Sequence, residues 1–84
     1  MDSLKKQLTY QSWHRGTKEM DTVLGLFFDK YRDVFSKADF LCYKDFLCYD
    51  DSVLYDWIFL DTQSAPIIYQ DLIFKIKTYH CKRH

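Results

Sequence analysis

Apolar residues recur along this chain at helical rather than strand spacing. Between Lys18 and Phe35, the residues Met20, Val23, Leu24, Phe27, Tyr31, Val34 and Phe35 follow an i, i+3, i+4, i+7 progression, while Asp29, Lys30, Arg32 and Asp33 occupy the opposite side. This is the clearest of five predicted helices. A weaker amphipathic segment over Leu4–Ser12 precedes it, with Trp13–Gly16 as its end. Ser36 is a suitable N-cap for a third helix over Lys37–Tyr49, with Asp39 at N3 favouring the helix dipole and Phe40, Tyr43, Phe46 and Leu47 as the buried stripe. Asp50 or Asp51 starts a short fourth helix over Ser52–Leu60 that buries Leu54, Trp57 and Ile58. Pro66 stands in the first turn of a fifth, Pro66–Tyr79, whose apolar face is Ile68, Leu72, Ile73 and Ile76. Trp57–Leu60 and Ile67–Tyr69 have β-branched and aromatic content that also suits strands, but neither alternates for long and both follow helix-start signals.

Composition narrows the fold class. The 84 residues suit one domain, and 48% hydrophobic with 19% aromatic content supplies a core and argues against disorder. Two glycines, one proline and no asparagine are too few for the turns of a small all-β protein. The expectation is all-α, a single-domain bundle of about five helices over residues 1–84. Val23, Leu24, Phe27, Tyr31, Phe40, Phe46, Leu47, Trp57 and Ile73 are its candidate core.

Formal charge is zero, yet unevenly distributed. Residues 1–20 carry four basic and two acidic side chains, residues 21–71 four basic and ten acidic, and residues 72–84 four basic and none acidic. A basic start, acidic middle and basic end suit protein contacts better than a phosphate-tracking stripe, so no nucleic-acid partner is expected. No stretch approaches the ~18 apolar residues of a membrane span, and no membrane insertion is expected. Cys42, Cys48 and Cys81 are odd in number and lack CxxC spacing, which fits reduced, dispensable thiols in a reducing compartment.

Catalytic and metal chemistry finds little support. His80, Cys81 and His84 could suggest a metal, but a basic terminal segment without a rigid fourth ligand reads better as solvated tail. A Cys/His nucleophile pair stays open in the sequence, but all three cysteines lie on or beside predicted helices, where small hydrophobes are expected. Ser12 and Ser36 have no surrounding nucleophile motif, and Asp50–Asp51 reads more simply as helix capping. With no GxGxxG and no GxxxxGK[ST], nucleotide binding by this chain alone is not expected. The chain reads as a non-enzyme, without a catalytic or metal site and without a stably bound cofactor.

One segment departs from plain helical patterning: Trp13-His14-Arg15-Gly16-Thr17-Lys18-Glu19-Met20-Asp21. Gly16 lies between two helices, where glycine permits positive φ or close backbone approach. Glu19 is the only glutamate against eleven aspartates. From the residues alone, a plain interhelical turn with Glu19 as a first-turn dipole partner is the reading to prefer.

Arg15-Gly16-x-x-Glu19, followed by Asp21, resembles the RGxxE motif of the succinate dehydrogenase flavinylation and assembly factors, the bacterial SdhE type and its mitochondrial counterparts. Leu8-x-Tyr10-x-Ser12, Phe27-Phe28-x-x-Tyr31 and Asp51-x-x-Leu54-x-Asp56-Trp57-Ile58 extend the likeness to residues 8–76. His14 stands where the family usually has Arg or Lys, Thr17 where Met is common, and Ser52 replaces a frequent Pro.

The resemblance implies a five-helix assembly factor that binds the flavoprotein subunit of succinate dehydrogenase, with fumarate reductase as a related client. It would promote covalent attachment of FAD to a histidine of that subunit, the FAD belonging to the partner. Partner-binding residues would be Arg15, Gly16, Glu19, Asp21 and His14. A monomer when free is implied, in the bacterial cytoplasm or, for a eukaryotic source, the mitochondrial matrix. The alternative class is a generic helical interaction module, antitoxin-like or regulatory. On the flavinylation reading, Arg15 and Glu19 are expected to be largely exposed, so that alanine at either changes stability little.

Overall fold

The computed structural model describes the backbone of residues 2–83 and the side chains of residues 3–82. Five helices follow in order: α1 Asp2–Trp13, α2 Lys18–Tyr31, α3 Lys37–Phe46, α4 Asp51–Tyr55 and α5 Ile67–Arg83. A π-turn over Asp56–Leu60 prolongs α4, and a 3-10 turn over Thr62–Ser64 leads towards α5. There is no strand among the described residues, so the two strand-like segments are helical.

The four-residue connection after α1 returns the chain along it, and α1 and α2 pair antiparallel. Lys5 meets Asp33, Thr9 meets Arg32 and Trp13 meets Asp29. The pair closes tightly because Gly25 has no side chain: a Cβ built there would lie 2.3–2.7 Å from ring atoms of Trp13. Nothing in the local pattern around Gly25 announces this, since its partner lies twelve residues away. Gly25→Ala should therefore be net destabilising. Overpacking costs about 1–3 kcal/mol, whereas the helix-propensity gain of alanine over glycine is about 1 kcal/mol. Urea denaturation of the variant checks this, and a stabilised Gly25→Ala would show that α1 is free to shift.

Thr17 caps α2, its hydroxyl accepting from the Met20 amide at 3.2 Å. The apolar stripe extends to Phe35 as predicted, but the helix ends at Tyr31. Val34 and Phe35 both bond back to the Tyr31 carbonyl, a turn that tucks Phe35 against the core and leaves Val34 72% exposed. The cause is Ser36, whose extended backbone starts α3 and obliges the chain to leave α2 early. Ser36 and Asp39 then form a reciprocal capping box at 3.1 and 2.9 Å, completing the predicted cap.

The fourth helix departs from expectation in its second half. Asp61 N–H reaches the Asp56 carbonyl across five residues, and the Thr62 hydroxyl donates to the Trp57 carbonyl at 2.7 Å. The widened turn keeps Trp57 and Ile58 inward while Leu60 stays exposed. In α5 the buried face is Tyr69, Leu72, Ile73 and Ile76. Ile68, expected in that face, is 69% exposed, because Tyr69 takes the inward position among Phe46, Tyr49 and Trp57.

Phe27, Phe28, Tyr43 and Phe46 fill the centre, with Phe28 and Tyr43 stacked at 4.9 Å. The other candidate core residues are buried too, except Tyr31, which is half-buried against the cluster. The Tyr43 hydroxyl is fully enclosed and shares a 2.7 Å hydrogen bond with Ser12, and burial pushes its pKa well above the ordinary tyrosine value. Ser12 is thus a satisfied core group, closed to substrate.

Candidate partner-binding site

The turn between α1 and α2 forms a knuckle, and its shape follows from Arg15 and Gly16. Gly16 has φ +125°, a conformation that residues with a Cβ rarely adopt. A Cβ there would also sit 3.2 Å from Asp51 Oδ2, a tight approach that the carboxylate would have to yield to by a few tenths of an ångström. The Arg15 amide donates to the Asp21 carboxylate, tying the knuckle to the first turn of α2.

The Arg15 side chain corrects an expectation. It folds inward, only 13% exposed, and engages the α3–α4 corner. Nε pairs with Asp51 Oδ1 at 2.8 Å, and the two terminal nitrogens donate to the carbonyls of Leu47 and Tyr49 at 2.7 Å each. Those carbonyls lie at and just beyond the end of α3, where helix carbonyls lack intrahelical partners and a cation is favoured. Arg15 is therefore a brace rather than a free surface residue. Asp51, read from sequence as a capping group, is its counter-ion. The fork geometry of the guanidinium suits this three-way engagement.

Glu19 behaves as expected. It lies in the first turn of α2, exposed, and its carboxylate has no hydrogen-bond or ion-pair partner among the described residues. Gly16 and His14 are exposed as well. The His14 ring stacks on Tyr10 with centroids 4.0 Å apart, and Nδ1 lies 2.8 Å from the Tyr10 carbonyl. Asp21 is half-buried by its role as acceptor. Of the five sequence-predicted residues, Gly16, Glu19 and His14 face outward, and Arg15 and Asp21 hold them in place.

The other chemical candidates lie apart from the knuckle or within the scaffold. Ser36 is committed to the capping box. Cys42, Cys48 and Cys81 are free thiols, and burial, with Asp45 and Asp39 nearby, raises the Cys42 pKa and disfavours its thiolate. Among the described residues no group of three His, Cys, Asp or Glu side chains is arranged to hold a metal ion. His84, the last member of the terminal His80/Cys81/His84 set, lies outside the described residues. No described helix is long and apolar enough to cross a membrane.

Residues 6–80 match the family described as the flavinator of succinate dehydrogenase, Sdh5. The chain belongs to that family. The match covers the knuckle and some part of every helix, and it agrees with the resemblance carried by Arg15-Gly16-x-x-Glu19. No match was found among curated proteins or among solved structures. Membership in the flavinator family gives the chain an assembly role directed at succinate dehydrogenase. The knuckle combines a positive-φ glycine and a braced arginine with an exposed carboxylate that has no partner among the described residues.

Proposed function

We propose that this flavinator binds the flavoprotein subunit of succinate dehydrogenase through the outer side of the knuckle and promotes covalent FAD attachment there, contributing no catalytic group of its own. The observation that carries this reading is Glu19: the only glutamate, exposed, without a partner among the described residues, and set just after a positive-φ glycine that fixes the turn. Glutamate reaches one methylene further than the aspartates that dominate the chain, far enough to accept hydrogen bonds from a partner surface. His14 flanks the same approach, and Arg15 and Asp21 act by fixing the turn. A preformed knuckle loses little conformational freedom on docking, so more of its contact energy appears as affinity. The flavoprotein holds the FAD and supplies the histidine that becomes modified. The factor acts as an organiser in the compartment where that subunit matures, the bacterial cytoplasm or the mitochondrial matrix.

Glu19→Ala should leave stability within about 0.5 kcal/mol of the parent, as for surface changes away from any special feature, while strongly reducing covalent flavin on the flavoprotein. In-gel flavin fluorescence of the denatured subunit, measured beside a melting curve of the variant, reads both quantities. A folded Glu19→Ala chain that supports full flavinylation would end this reading. Binding without any effect on covalent flavin would make the chain an adaptor instead.

A further inference from the structure

The outer side of α1 carries a second feature that the knuckle does not use. The stacked Tyr10 and His14 rings form a ridge, and a groove runs along each flank. The larger groove, about 610 Å³, is walled by Lys5, Lys6 and Arg32; the smaller, about 260 Å³, by Lys44 beside Arg15. Asp33 is the one carboxylate in either wall among the described residues, and Lys5 already pairs with it at 3.4 Å. Arg32 is drawn towards Asp29 at 3.9 Å and donates to Thr9. Lys6 and Lys44 are exposed, and their ammonium groups have no partner among the described residues. This cationic face is local, since residues 21–71 carry four basic against ten acidic side chains.

We infer that this face is a second docking surface on the same flavoprotein client, taking an acidic, extended polypeptide segment that lies along α1 across the Tyr10–His14 ridge. The inference rests on the functional reading above. Lys5 to Trp13 spans roughly 12 Å of helix, room for about four extended residues at ~3.3 Å each. Carboxylates of the segment meet Lys6 on one flank and Lys44 on the other, and an apolar side chain covers the Tyr10 ring, which is 64% exposed. A nucleotide suits the site less well. Its phosphates are best held by free backbone N–H groups at a glycine loop or helix start, whereas the residues here sit mostly within helices, and His14 already covers one face of Tyr10.

The test is the double variant Lys6→Glu/Lys44→Glu, compared with the parent and with Glu19→Ala for binding to the purified flavoprotein subunit at several salt concentrations. Neither lysine has a side-chain partner among the described residues, so the melting temperature should fall only by the few degrees that an acidic group in the last turn of α3 costs, and binding is measured well below it. The affinity should fall roughly tenfold or more, with a weaker salt dependence, as for charges that complement a partner. Carbodiimide coupling of the parent complex should join Lys6 or Lys44 to a carboxylate of the subunit. Parent-like affinity of the double variant, with Glu19→Ala still impaired, would overturn this inference and leave the knuckle reading standing. A parent chain that does not bind the subunit would remove both. If FAD alone binds the parent and not the double variant, the occupant is the dinucleotide and the acidic-segment inference is wrong.

Discussion

Phe27→Ala should destabilise the fold by about 3–5 kcal/mol, the usual cost of removing a fully buried phenylalanine ring. The ring is wholly enclosed, with Tyr31 at 4.9 Å, Tyr43 at 6.1 Å, Phe35 at 6.2 Å and Tyr79 at 6.5 Å between centroids. It joins α2 to α3, to the turn after α2 and to α5, so no single helix can relax into the space it leaves. Each kcal/mol corresponds to roughly 4–8 °C in a domain of this size, so the melting temperature should fall by about 12 °C or more. Phe27→Leu keeps most of the volume and should cost less than half as much. A cost below about 1 kcal/mol for the alanine variant would mean that the aromatic cluster closes over the gap, against the partial relaxation usual in packed cores.

Such cores are visible in a sequence because their logic is local. The α2 stripe repeats within one or two turns, and Ser36 and Asp39 are three residues apart, so periodicity and capping chemistry locate both. Local rules failed where two of them competed or where the partner was remote. Val34 fits the helical period of α2, yet the extended backbone of the Ser36 cap takes precedence two residues later. Ile68 fits an apolar i, i+4, i+5 pattern, but the larger Tyr69 ring fills the place between Phe46 and Trp57. The π-turn over Asp56–Leu60 has no periodic signature, being a single extra residue accommodated by Thr62. The knuckle was legible as a motif and Glu19 as its exposed carboxylate. The inward turn of Arg15 was not, because Asp51, Leu47 and Tyr49 are 32 or more residues away.

That remote engagement changes what a substitution at Arg15 measures. Arg15→Ala removes three hydrogen bonds at once and leaves Asp51, only 21% exposed, without its counter-ion. Breaking a fully buried pair from one side costs about 3–5 kcal/mol, and the residual exposure here reduces that to roughly 2–4 kcal/mol. Lost flavinylation in Arg15→Ala would thus report a loosened scaffold before it reported a lost partner contact. Three companions separate the two. Arg15→Lys keeps the charge but not the fork, and should recover only part of the stability. Asp51→Ala should be destabilising without altering the motif. Arg15→Ala/Asp51→Ala should cost less than the two single changes added together, because the second removes a charge already stranded by the first. If the costs add, the two groups act independently and Arg15 is not the brace described here. If they couple, flavinylation measured well below each melting temperature becomes the deciding quantity. Restored activity in folded Arg15→Ala would assign the arginine to the scaffold, and persistent loss would give it a share of the partner surface beside Glu19.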